Sequence, residues 1–382
     1  MAILFLVNGF LAATWASRIP AVKHSLGLNQ AELGLVLLGS AIGALIAMYL
    51  TGSLAARFGS RPVVTIATIC LCLVLPFVGL APHPVVLFGA LLLFGATLGS
   101  MDVAMNTQAV EVERQYRRPI LTSFHGMYSL GGLLGALAGG AAAAVGLVPA
   151  GNFAVAAGIG LVAAMSVAAW LLPSTPDISS SAFSIRLPSR DLLRIGLVAF
   201  CTVVGEGAMA DWSAVYLRYF TGSTAGVAAL GFGAFSLLMA VSRFRGDRLT
   251  SRFGPVNMVR AGGLLSASGM LLAVLVPMSV PAIAGFALTG IGFAAIFPIA
   301  ISAAGRAGPI PGQAIAMVAT CGYVGFLAGP PVIGFVSQAT NLRVGLGVVV
   351  VTSLISVVFA GSVRPGDAQH VMPTGYAQVE PF

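Results

Sequence analysis

Charge is what this 382-residue sequence has least of: Asp, Glu, Lys and Arg together make up 8% of it. Soluble domains carry about a quarter. With 58% hydrophobic residues and a mean hydropathy of +0.99, a soluble fold would have no core large enough for its apolar surface. Lysine is nearly absent, with Lys23 the single one beside 18 arginines. The basic residues sit in short segments between apolar runs, not on one basic face, so a nucleic-acid partner is not expected despite a pI near 9.9. Cysteine is scarce too. Cys70, Cys72, Cys201 and Cys321 all lie inside apolar runs, which excludes a disulfide framework or a metal cluster as the expectation. No Walker A, H-E-x-x-H or G-x-S-x-G pattern occurs, so neither an ATP motor, an enzyme nor a cofactor is expected. "GEGAMA" at 205–210 mimics a dinucleotide fingerprint, but no strand–turn–helix surrounds it.

What the chain has is long apolar runs. A bilayer span takes about 20 such residues. Twelve are expected, near 2–19, 32–54, 62–81, 84–109, 120–146, 149–172, 192–219, 223–243, 255–278, 280–304, 311–337 and 341–362. The first has no basic segment before it and no clear cleavage site after it, unlike a signal peptide. With the N-terminus in the cytoplasm, 15 arginines fall on the inner side. Only Arg18, Lys23, Arg218 and Arg343 fall outside. That bias orients the chain with both termini cytoplasmic. The Pro- and Ser-rich stretch 173–191 reads as a cytoplasmic linker between six-span bundles 1–172 and 192–362, with 363–382 a cytoplasmic tail.

The halves repeat. "AARFGSRP" (55–62) follows the second run and "TSRFGPVN" (250–257) the eighth, with Gly59 and Gly254 195 residues apart. The same offset relates Tyr128 to Tyr323, and nearly the same one Trp15 to Trp212. This is the mark of a duplicated half.

On these features the sequence resembles the major facilitator superfamily over nearly its whole length. Residues 52–61, "GSLAARFGSR", follow that family's G-x-L-a-D-R-x-G-R-R loop, with Ala56 where the family has Asp. The family's cytoplasmic charge lock, which here would involve Arg57 and Arg61, is therefore altered. "WASRIPAVK" (15–23), "MDVAMN" (101–106) and "SFHGMYSLGG" (123–132) resemble a bacterial inner-membrane group of the superfamily, and the last also resembles fucose-permease-like sugar transporters. The resemblance implies an all-α membrane fold of two six-helix bundles around a central substrate site, working by alternating access.

Few polar residues lie inside the runs, so each is a candidate. Glu206 stands about 18 Å into the seventh run, near the midplane, where an ionisable group is costly and marks a pathway. A carboxyl that binds and releases a proton there suits proton coupling; a permanently neutral, hydrogen-bonded acid is the alternative. Asp211 is some 140° further round the helix, so the two do not form a dyad. It is a candidate outer gate with Arg18, or a solvated helix-end acid. Asp102, with Asn106 one turn on, could meet His125 from the next helix, as a titrating pair or a structural tie. Asn8, Asn106, Tyr128, Trp15, Trp212, Gln313 and Tyr323 are candidate substrate contacts, although Trp and Tyr also populate membrane interfaces. The glycine rows 131/135/139 and 325/329 are expected to let helices approach closely.

These readings converge on a monomeric proton-coupled symporter of the inner membrane for a small polar solute, a sugar or sugar-like metabolite. Proton-driven efflux of drugs or metabolites is the alternative, and a non-transporting solute sensor a third.

Overall fold

In the computed structural model of the chain, residues 1–116, 121–173, 189–307 and 311–364 are described. Gln313 lies in a helix, but its side chain, most of the expected linker and residues 365–382 fall outside the description. The described residues form thirteen α-helices and a closing 3-10 turn, with no strand among them. The helices are α1 (Ala2–Ser25), α2 (Gln30–Phe58), α3 (Ser60–Gly79), α4 (Pro84–Tyr116), α5 (Leu121–Ala144) and α6 (Pro149–Ala168). After the linker come α7 (Arg190–Tyr219), α8 (Ala225–Phe253), α9 (Pro255–Leu275), α10 (Ser279–Phe293), α11 (Ile296–Ala307), α12 (Pro311–Ala339) and α13 (Leu342–Val358), then η1 (Phe359–Val363).

Among the described residues, twelve segments are long and apolar enough to cross a membrane, with α10 and α11 forming one broken span, Ser279–Ala307. The break at Ala294–Ala295 is not visible in the hydrophobic pattern. Its cause is Pro298, which has no N–H to give the carbonyl of Ala294. Elsewhere the ends follow local chemistry. Asn29 and Glu32 form a reciprocal capping box at the start of α2, and Ser189, Thr224 and Asn341 cap α7, α8 and α13.

Packing repeats as the sequence does. α1 packs on α5, α2 on α4 and α3 on α6; α7 packs on α12, α8 on α10 and α9 on α13. The two sets meet through α5 against α8 and α2 against α12, which the internal repeat also relates. Gly59 (φ 84°, ψ 152°) and Gly254 (φ 79°, ψ 153°) turn the chain identically at equivalent points. That region of backbone space belongs essentially to glycine. In the row 131/135/139, a Cβ on Gly131 would strike the carbonyl oxygen of Leu6 and one on Gly135 that of Phe10, so α5 lies backbone-to-backbone on α1. Gly325 brings α12 onto Phe200 of α7 in the same way.

A charged cavity between the two sets of helices

The connections at 26–29, 145–148, 220–224 and 340–341 mark an arginine-poor end, and it is closed. The hydroxyl of Tyr219 donates to the carbonyl of Pro20 at 2.8 Å, and the Lys23 ammonium sits 5.1 Å from the centre of the Tyr219 ring. The amide of Gln30 donates to Oε1 of Gln338 at 3.2 Å, and Gly34 lies so close to Pro330 that a Cβ would come within 2.6 Å of its carbonyl oxygen. Toward the arginine-rich end lies a cavity of about 760 Å³. Arg306 and Ile315 line its outer part, Phe297 and Pro298 of the broken span its side, and His125 and Arg243 its deep wall.

Behind that wall Arg243 of α8 meets Glu206 of α7, with Nη2 3.6 Å from Oε2. Arg243 Nη1 also reaches Oγ of Ser129 on α5 at 3.4 Å, so one guanidinium joins both sets of helices. Half-buried Tyr128 is within electrostatic reach of Asp102, Glu206 and Arg243, and Tyr323 is within reach of Asp102. Asp102 accepts from the side-chain amide of Asn106 at 3.2 Å. Glu206, Asp102, Asn106, His125, Tyr128 and Tyr323 thus gather at the interface between the two sets. Arg243, counted in the sequence as one more topogenic arginine, belongs with them. Its signal was its place at the very end of an apolar run on the helix after Glu206.

Other expectations are corrected. Asp102 and His125 do not pair. α4 packs on α2 and α3 and barely touches α5, so neighbours in sequence are not neighbours in space. His125 lies edge-on to Phe5 instead, ring centres 5.3 Å apart. Arg18 and Asp211 do not meet either. Arg18 is buried in its own set of helices and donates to the carbonyls of Gly139 and Leu147 at 3.4 and 2.5 Å, while Asp211 turns to the side of α7 on which Gly207 and Val204 pack against α12. Trp15 and Trp212 do not face a ligand. Trp15 packs against Phe94 and Phe153 at 6.4 and 6.1 Å, and Trp212 is wholly buried. Asn8 is 1% exposed, its amide nitrogen without a partner. Arg57 is exposed above the Phe58 ring, and Arg61 donates to the carbonyl of Ala169 at 3.4 Å. No group of three metal-ligating side chains occurs among the described residues.

Twelve membrane-length spans among the described residues, in two repeated sets with a charged cavity toward the arginine-rich end, are the architecture of a membrane transporter. The chain belongs to the Major Facilitator Superfamily, whose family pattern matches residues 1–255 and 195–374. It is 37% identical over 361 residues to an uncharacterized MFS-type transporter of Yersinia pestis, covering 94% of this chain and 93% of that one. It is 34% identical over 360 residues to membrane protein MosC of Rhizobium meliloti, covering 93% and 87%. Its fold is similar to the crystal structure of the nucleoside transporter NupG, with TM-score 0.72, 15% identity and 95% and 96% of the two chains covered. It is also similar to that of a D-xylose-proton symporter, with TM-score 0.76, 15% identity and 95% of each covered.

Proposed function

We propose that the chain is a proton-coupled symporter for a small polar solute of sugar-like size, with residues 1–172 and 192–362 moving as two bundles about the interface. The observation that carries this reading is the pairing of Glu206 with Arg243, whose guanidinium lines the cavity and reaches Ser129 of the other bundle. A proton on Glu206 removes the charge that holds Arg243. The guanidinium is then free to bind solute hydroxyls or to shift against α5, so protonation, loading and the contact between bundles become one event. Tyr128, Asn106 and Tyr323 supply hydrogen-bonding groups for hydroxyls and ring faces for an apolar edge. Asp102, held by the Asn106 side chain, is a second site for the proton. With the positive-inside orientation, the arginine-rich end is cytoplasmic and the chain is closed to the outside, an inward-facing state.

The xylose–proton symporter among the fold neighbours supports this direction of coupling by analogy of fold. The experiment is thermal unfolding of the purified protein with sugars, nucleosides, other polar metabolites and lipophilic cations at pH 5.5 and 7.5. Ligand that binds the folded state raises the melting temperature. A pH-dependent shift with a polar solute, whose dependence on pH but not the shift itself is lost in Glu206→Gln, supports the reading; a shift with lipophilic cations alone overturns it in favour of efflux.

A further inference from the structure

A second cavity, of about 600 Å³, lies at the arginine-rich end and shares Arg306 alone with the first. It is enclosed by the start of α7, the end of α11 and the α13–η1 corner. Arg194, Arg306 and Arg364 border it. Asp191 pairs with Arg194 at 3.2 Å, while no carboxylate pairs with Arg306 or Arg364 among the described residues. Arg306 donates from Nη1 to Oγ of Ser302 at 2.7 Å, so both guanidiniums border the concave space with their charge unneutralised by a carboxylate among the described residues. The two repeats differ at this position. Ala303 lines the cavity, and 195 residues earlier stands Gln108. Gln108 is 1% exposed and donates from Nε2 to Oγ of Ser60 at 3.0 Å and to the carbonyl of Leu172 at 2.9 Å. At this position the first repeat has a long polar side chain tied to its neighbours, and the second has alanine beside three arginines.

Beside the cavity runs an apolar rail. Val351, Leu354 and Val358 of α13 are 57%, 43% and 76% exposed and share one helix face. Val358 belongs both to this rail and to the cavity wall. A charged pocket for a phosphate, continuous with an apolar strip running toward the membrane interior, has the two parts of a phospholipid.

We propose that this cavity binds the headgroup of an anionic phospholipid, with Arg306 and Arg364 on the phosphate and the acyl chains along Val351, Leu354 and Val358. Guanidinium suits the task because its planar donors grip phosphate oxygens in pairs. Basic pockets between spans at a cytoplasmic surface hold such headgroups. Arg306 also borders the transport cavity, so the bound lipid would rest against the wall that has to move.

The test titrates phosphatidylglycerol into the full chain in neutral detergent and reads both the melting temperature and retained lipid by native mass spectrometry. Phosphatidylcholine and inorganic phosphate are separate arms. Phosphatidylglycerol is expected to stabilise and be retained, phosphatidylcholine and inorganic phosphate not. Arg306→Gln with Arg364→Gln weakens the effect about thirtyfold, from about one interfacial charge's worth per arginine. Arg364→Gln alone, at an exposed position after η1, keeps the test readable if the pair does not fold, with about fivefold weakening. Ala303→Gln places a longer side chain in the cavity beside Arg306 and weakens retention. Arg343→Gln, at the other end of α13, leaves it intact. Equal stabilisation by phosphatidylcholine, or an unchanged response in all three cavity variants, would overturn the proposal. Inorganic phosphate displacing retained phosphatidylglycerol at millimolar concentration would overturn the lipid as ligand.

Discussion

Neutralising Glu206 and Arg243 singly and together is the perturbation the geometry specifies most closely. At 3.6 Å and an effective dielectric of about 20, the attraction is about 4–5 kcal/mol. Desolvation returns most of that. The two side chains are 27% and 15% exposed, so water screens part of the rest, and a net coupling of about 1–2 kcal/mol remains. The single variants are not equivalent. Arg243→Gln leaves a carboxyl that can neutralise itself by taking a proton. Glu206→Gln leaves a guanidinium that cannot lose one. Glu206→Gln is therefore the more destabilising, and the double variant recovers part of the loss. The assay is thermal and denaturant unfolding of the four proteins in one detergent, closed as a double-mutant cycle. Effects that add within about 0.3 kcal/mol would refute the pairing. A larger loss from Arg243→Gln than from Glu206→Gln would refute the account of which charge is stranded.

Gly254→Ala forces alanine into backbone space that costs about 1–3 kcal/mol, whereas Gly52→Ala, within a helix and with open space around it, costs nothing; comparative melting temperatures check the contrast. Gly131→Ala pushes α5 off the Leu6 carbonyl of α1 and lowers the melting temperature more than Gly132→Ala, whose added carbon meets the movable Ser236 hydroxyl at 3.2 Å. Tyr219→Phe removes the hydrogen bond to Pro20, worth about 1 kcal/mol, and shifts the balance toward opening of the arginine-poor end about fivefold. Distances between spin labels on the α1–α2 and α12–α13 turns measure that shift.

The spans were legible because lipid imposes a length and an apolarity that composition cannot hide. The duplication was legible because Gly59 and Gly254 do a job that only glycine does. The break in the tenth span was not, since Pro298 leaves the apolar pattern continuous and removes a hydrogen bond silently. Glu206 stood out as a lone acid at the midplane, but its partner did not. Arg243 lies 37 positions along, at a run end where arginine is ordinarily topogenic, and only the packing of α7 against α8 joins them. The Asp102–His125 expectation failed for the converse reason, that consecutive helices in this topology need not touch. Trp15 and Trp212 misled because the same rings that bind ligands also pack in helix-bundle interiors, as Trp15 does against Phe94 and Phe153.

The central claim is that a protonatable Glu206 couples solute movement to protons across this fold. It is tested most directly in proteoliposomes holding the chain alone, with a pH dye inside and the solute identified by thermal stabilisation added outside. The account predicts solute-driven acidification of the lumen in the wild type and none in Glu206→Gln, which still exchanges solute across the membrane. Solute uptake that leaves luminal pH unchanged, or acidification that persists in Glu206→Gln, would contradict it.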